Sequence, residues 1–214
     1  MITEKLYGFL DRAYVYFNEN LFDNQLGECL ITLNRKRGAY GYHHWQSFKS
    51  RKADGTFTSE IALNPDGFEE RTAEEILSTL VHEMVHNLMH IMDIAPRKGY
   101  HDKQFASMMY DVGLQASSTG LPDGKPTGQK MSHYIITGGK FETVCKAFLI
   151  REKESGIDWD TVKIEVEKKE RKKTREKFVC PNCMTNVWGK KDSNIRCGDC
   201  GEKFEIEEED KEKD

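Results

Sequence analysis

Apolar residues recur at helical spacing from about residue 4 onward, with Leu6, Leu10, Ala13, Val15, Phe17 and Leu21 interleaved with Asp11, Arg12 and Glu19. This predicts an amphipathic first helix over 4–20. After the turn signal Asp23-Asn24, three short β-branched or aromatic segments follow: Cys29–Asn34, Ala39–Phe48 and Ser59–Asn64. Gly38 and Ala53-Asp54-Gly55 separate them, so they read as strands of a small sheet. Thr72 and Glu75 form a capping box ahead of Ile76–Ile91. In that run apolar pairs recur every turn, at Ile76 and Leu77, Leu80 and Val81, Met84 and Val85, and Leu88 and Met89. So wide an apolar face predicts a central, buried helix. Pro96 and Gly99 end it, and Phe105, Met108, Met109 and Val112 predict a third helix closing at Gly113. Ser117–Gly128 carries no period and reads as a flexible loop, after which Phe141, Val144, Cys145, Phe148 and Leu149 give one more helical face.

The pattern is α+β, with helices packed on a small sheet, and 214 residues accommodate one medium domain and a small appended module. The first domain is expected over 1–157. Lys163–Lys177 holds eight basic and four acidic residues with almost no apolar content, which marks 158–177 as a charged linker. A compact module over 178–206 and an acidic tail over 207–214 complete the chain. The formal charge of −4 predicts no general attraction to nucleic acid or an anionic membrane, so any such binding must come from a local patch. No apolar run reaches the roughly 18 residues of a spanning helix, and the N-terminus lacks the features of a secretory signal. A soluble protein is expected. Four of the six cysteines fall in two tight pairs at metal-ligand spacing, while Cys29 and Cys145 stand alone in apolar contexts and read as buried free thiols. A reducing, cytoplasmic setting follows.

His82-Glu83-Met84-Val85-His86 is an H-E-x-x-H string in the middle of the strongest predicted helix. Residues four apart share a helix face, so two imidazoles can converge on one zinc ion, and Glu83 beside them can act as general base toward a water at the open position. A merely structural helix gains nothing by burying two histidines and an acid, since an uncompensated buried charge is costly. A third ligand is needed, and the candidates are His90, His101 and His133. His90 lies about 12 Å of rise beyond His82, too far to share the ion. His101 follows a Pro and Gly loop that can turn the chain back onto the site. His133 reads as a substrate contact or, better, a plain surface histidine, and His43 and His44 read likewise.

Cys180-Pro-Asn-Cys183, thirteen intervening residues and Cys197-Gly-Asp-Cys200 specify a four-thiolate zinc site. Phe178, Val179, Val187, Trp188, Phe204 and Ile206 are spaced as flanking strands, which makes the module a zinc ribbon. Gly201 suits the left-handed turn after the second knuckle, and Met184 stands at the equivalent place after the first. Lys190, Lys191 and Arg196 near Trp188 are a candidate DNA-contact patch, set against a purely structural cap with Trp188 in the ribbon's own core.

The helix EEILSTLVHEMVHNLMH with GYHDKQF after it, and YVYFNENLFDNQL, GAYGYHHWQSF and SEIALNP before it, resemble the SprT-like family across most of residues 5–112. Spartan, a protease for proteins crosslinked to DNA, is a member of that family. The resemblance implies a minimal zincin in which His82, His86 and His101 are zinc ligands and Glu83 is the catalytic base. It also implies protein substrates, DNA-bound or DNA-crosslinked ones among them, and a C-terminal ribbon of the kind many members carry. One zinc would be catalytic and a second structural. By analogy with zinc peptidases, the substrate strand is expected to pair with a sheet edge, for which Ser59–Asn64 is the candidate. The alternatives are a non-catalytic nucleic-acid-binding or transcription-associated scaffold, and a zinc peptidase with no dependence on DNA.

Overall fold

A computed structural model describes residues 1–52, 55–97, 99–152 and 175–207. The chain forms two compact units, Met1–Lys163 and Ile164–Asp214. The boundary expected at 157, nearly all of the 158–177 linker and all but the first residue of the acidic tail lie outside the described residues.

The first unit runs α1 (Ile2–Leu21), β1 (Cys29–Leu33), β2 (Gly41–Lys49), β3 (Phe57–Leu63), a 3-10 turn at Pro65–Gly67, α2 (Ala73–Ile91), α3 (Lys103–Asp111), β4 (Leu114–Ser117), β5 (Ser132–Ile135) and α4 (Lys140–Glu152). It is α+β, as the patterning predicts. α2 begins with the reciprocal capping box, in which Thr72 accepts from the Glu75 amide and the Glu75 carboxylate accepts from the Thr72 amide. Its width of apolar face is explained by neighbours on every side: Ile76 through Met89 is buried almost without interruption against α1, α3, α4 and the sheet. Phe9, Phe17, Phe105, Phe141 and Phe148 fill the space between helices, and the Phe17 ring lies 5.7 Å from Phe148 and 5.8 Å from Phe141. Each such side chain contributes about 1.5 to 3 kcal/mol by leaving water. Gly113 lets α4 start close to the end of α3. It has φ +91, and a Cβ there would sit 2.5 Å from the Phe141 amide nitrogen.

The main sheet has the order β1-β3-β2, with β1 parallel and β2 antiparallel to β3. Ser59–Asn64 is therefore the centre of the sheet, paired on both sides, and cannot accept a further strand. β1 and β2 are the two edges, and β2 is the one that borders the cleft. Strand order departs from chain order because β3 inserts between β1 and β2 and pairs in parallel with β1. β2 carries a register shift between His44 and Phe48, with Gln46 at φ 45. A second, two-stranded sheet pairs β4 with β5, two strands that the hydrophobic pattern does not predict.

The second unit contains β6 (Glu176–Val179), β7 (Asn186–Gly189) and β8 (Glu205–Ile206) in the order β7-β6-β8. Its buried cluster is small: Phe178, Cys180, Cys197 and Phe204, with Val187, Ile195 and Cys200 packed on it. Trp188 is 62% exposed and so lies outside that core. Two knuckles repeat one backbone pattern. The Cys180 amide donates to Thr185 O and the Met184 amide to Cys180 O, and likewise Cys197 to Glu202 O and Gly201 to Cys197 O. The residue after each second cysteine is left-handed, Gly201 at φ 72 and Met184 at φ 60. A side chain in that region costs about 1 to 2 kcal/mol that glycine does not incur. Met184 is exposed, so nothing is lost by removing its side chain. Met184→Gly is therefore expected to stabilise the first knuckle by about 1 kcal/mol, seen as roughly fivefold slower hydrogen exchange at the Cys180 amide.

Candidate metal centre

The middle of α2 supplies His82 and Glu83, each only 6% exposed, and His86 one turn on. The third imidazole arrives from the loop between α2 and α3. Asp102 caps α3 by accepting from the Phe105 amide at 2.8 Å, and this fixes the entry of the chain so that His101, immediately before the cap, faces α2. His82, His86 and His101 each offer a ring nitrogen, and these lie within 4.8 Å of one another. Phe105, fully buried, packs against all three rings: 4.4 Å and stacked on His86, 4.7 Å from His101 and 5.0 Å from His82. A rigid aromatic floor of this kind limits how far the imidazoles can splay.

The donor set suits a divalent cation of borderline softness. Burial lowers the pKa of His82, His86 and His101, which holds their rings neutral with lone pairs available. The His101 ring lies against Gly128, its Nδ1 3.3 Å from the Gly128 carbonyl oxygen, while the backbones of the two residues pair through hydrogen bonds of 2.7 and 3.0 Å. With Nδ1–H directed at that carbonyl, His101 Nε2 is a bare acceptor. It stands 3.1 Å from His86 Nε2, close to the roughly 3.3 Å edge expected of a tetrahedron around zinc. Ser117–Gly128 is accordingly a strapped segment rather than a loose loop: Ser117 is buried and accepts and donates within it, and Gly128 holds a candidate ligand.

Glu83 faces the opposite electrostatic problem. Burial raises its carboxyl from 4.5 to about 8, while the Lys36 charge and the His43 backbone amide pull it back down. Gly41 on β2 makes room for it. A Cβ at that position would lie 2.8 Å from Thr79 Cγ2, 3.0 Å from Ala62 O and 3.3 Å from Glu83 Oε1.

The remaining histidines separate by role. His90, not a candidate ligand by its distance along the helix, places Nδ1 2.9 Å from His86 O and stacks on Trp45 at 5.3 Å. His43 reaches Asn87 Oδ1 at 3.2 Å and lines the cleft, and His44 on the same strand is exposed. His133 is not a surface residue: its Nδ1 is 3.2 Å from His82 Nδ1, and burial lowers its pKa to about 3. The cleft over these groups measures about 790 Å³, and Gly41–Trp45 of β2 form one wall.

In the second unit Cys180, Cys183, Cys197 and Cys200 bring their sulfurs within 4.8 Å of one another, and Cys183 Sγ is 3.6 Å from Cys197 Sγ. That is near the roughly 3.8 Å edge of a tetrahedral tetrathiolate zinc site. Among the described residues no helix is long and apolar enough to cross a membrane.

Comparison with known proteins gives two matches. The SprT-like family model covers residues 10–125. An uncharacterized protein in the mucB 3′ region of Salmonella typhimurium is 46% identical over 54 residues, which span 25% of this chain and 73% of that protein.

Two outcomes follow from the geometry. Gly41→Ala should destabilise the first unit by about 1 to 3 kcal/mol in urea unfolding, since Ala62 O belongs to the central strand and cannot yield. The pH dependence of the metal-stripped chain should separate Glu83 from the histidines. Imidazoles buried neutral contribute stability that is complete above their ordinary value of 6.5 and is lost as pH falls below it. A carboxyl raised from 4.5 to about 8 does the reverse, so stability falls as pH climbs through that window. Between pH 6.5 and 8 the tail of the unfolded-state imidazole titration opposes the Glu83 effect, so the comparison with Glu83→Gln isolates the carboxyl. Relative to Glu83→Gln, the metal-free wild type should lose about 1 to 2 kcal/mol across this interval.

Proposed function

This chain belongs to the SprT-like family, and from that premise we propose that it is a zinc-dependent metallopeptidase in which His82, His86 and His101 hold the ion and Glu83 is the general base. The observation that carries this reading is the convergence of three neutral imidazoles with one buried carboxyl in a single cleft. A zinc ion held there supplies Lewis acidity, polarising the scissile carbonyl and acidifying water. Glu83 takes a proton from the attacking water as its oxygen bonds to the carbonyl carbon. It then delivers that proton to the amide nitrogen as the C–N bond breaks. Burial makes Glu83 a stronger proton acceptor than an ordinary carboxylate, which suits both halves of this task. The substrate is an extended segment of protein that adds to the open edge of β2, where Gly41–Trp45 border the cleft.

In the second unit Cys180, Cys183, Cys197 and Cys200 hold a structural zinc, and a reducing cytoplasmic setting keeps those thiols available. The ribbon recruits the peptidase to DNA-bound proteins, including crosslinked ones. Support for this comes from Trp188, largely exposed on the edge strand β7, with Lys177 as its cross-strand neighbour and Lys190 and Lys191 following it.

The test uses a purified DNA-binding protein as substrate. The wild-type chain should carry two zinc ions and cleave, faster with DNA present and not at all after chelation. Glu83→Gln should keep both ions and lose at least about 100-fold in rate. Equal rates with and without DNA would make this a peptidase independent of DNA. No cleavage under any condition would leave the non-catalytic scaffold.

A further inference from the structure

The proposed reaction leaves one imidazole in contact with the candidate ligands unused. His133 reaches the site from β5, 51 residues beyond His82 in sequence, and joins it through the Nδ1 to Nδ1 contact of 3.2 Å. Its other nitrogen, Nε2, lies 2.8 Å from Ser78 Oγ, and Ser78 Oγ lies 2.8 Å from the Glu75 carbonyl on the same helix.

This chain of contacts has a direction. A carbonyl can only accept, so Ser78 spends its one hydroxyl proton on Glu75 O and presents a lone pair to His133. His133 Nε2 must then carry the proton, which leaves Nδ1 of the neutral ring as an acceptor. His82 accordingly donates from Nδ1–H and keeps its lone pair on Nε2. The opposite direction would put a proton on His82 Nε2 and take that nitrogen away from a metal. The Glu75 carbonyl, a fixed part of α2, breaks the tie. The segment from β4 to β5 thus grips two rings of the cluster, His101 through Gly128 O and His82 through His133.

We propose that His133 is a positioning residue that fixes the tautomer and ring plane of His82 through a one-way relay anchored on α2, and so sets the affinity of the imidazole site for its ion. This rests on the reading of His82 as a ligand. Outer partners of metal-bound histidines typically matter by about 10 to 100-fold in affinity.

The experiment measures zinc affinity of the full chain by chelator competition, with the four-cysteine site as internal control. Two variants divide the relay. In His133→Asn an amide oxygen can take the place of Nδ1 and accept from His82. In His133→Gln the longer side chain places its amide nearer Ser78 and away from His82. The imidazole site should weaken about 10 to 100-fold in His133→Gln, while His133→Asn retains most of the wild-type affinity and the thiolate site is unchanged in both. Equal affinity in wild type and His133→Gln overturns the proposal, and so does equal loss in both variants, which reduces His133 to packing. His82→Ala keeps the two hypotheses apart. If it loses the ion while His133→Gln does not, the ligand reading stands and the relay fails. If it retains the ion, the ligand reading itself fails.

Discussion

Three imidazole lone pairs aimed at one point on the floor of a cleft are the constraint around which the first unit is organised. Neutral rings at this spacing repel through their acceptors, and burial denies them the protons that would relieve the crowding. Nothing in α2 alone holds such an arrangement. It persists because each flank is fixed from outside: Phe105 closes the floor, the Gly128 carbonyl holds His101, and His133 contacts His82. The elements that supply these groups, α3 and the β4–β5 pair, are short, and beyond their share of the core they place those two side chains and one carbonyl. A cation entering this point would remove the repulsion between the acceptors. The cost of assembling them is carried in advance by the hydrophobic packing of α1, α2 and α4 behind the cluster.

Glu83 is held by a different balance. Its carboxyl is as buried as His82, yet it receives a backbone amide from His43 and the field of Lys36, both associated with the sheet side of the cleft. Gly41 belongs to the same wall and yields the space that a Cβ would take. Strand β2 thus serves the acid while α3 and the β4–β5 segment serve the histidines. The H-E-x-x-H string puts both kinds of group on one helix, and the two sides of the cleft then stabilise opposite protonation preferences. This also explains why β2 is an edge strand. A further strand on that side would close the cleft that the acid and the imidazoles share.

How much of this could be read from the chain alone depended on sequence distance. The pair His82 and His86 with Glu83 was legible because helical geometry fixes neighbours four apart, and the capping box at Thr72 and Glu75 set the phase of that helix. His101 was legible because Asp102 and Phe105 announce a helix start just beyond it. The sheet was legible strand by strand but not in its order, since the pairing of β1 with β3 skips β2 and no local pattern encodes a crossover. That is why Ser59–Asn64 was taken for an edge. β5 was not legible, and His133 read as a surface histidine, for a related reason. Ser132–Ile135 is short and nearly devoid of apolar period, and becomes a strand only through β4, so its histidine reads as solvent-facing until His82, 51 residues away, is in place beside it. In the ribbon the cysteine spacing was sufficient, whereas the fate of Trp188 was decided by which face of β7 the small core occupies.

The two metal-ligating clusters differ in what their ions can do for the fold. The first unit has a continuous core running from Phe9 on α1 to Phe148 on α4, formed by side chains that do not touch the candidate ligands except through Phe105. That core buries apolar surface without help from any ion. Among its described residues the second unit buries Phe178, Cys180, Cys197 and Phe204, and two of those four are candidate ligands. Burial on that scale falls far short of the conformational entropy of ordering some thirty residues at about 1 to 2 kcal/mol each. Four thiols within 4.8 Å of one another also repel once ionised, so without an ion the ribbon's small core has little to keep its knuckles closed. With ions at both candidate sites, their removal would change chemistry in one unit and structure in the other.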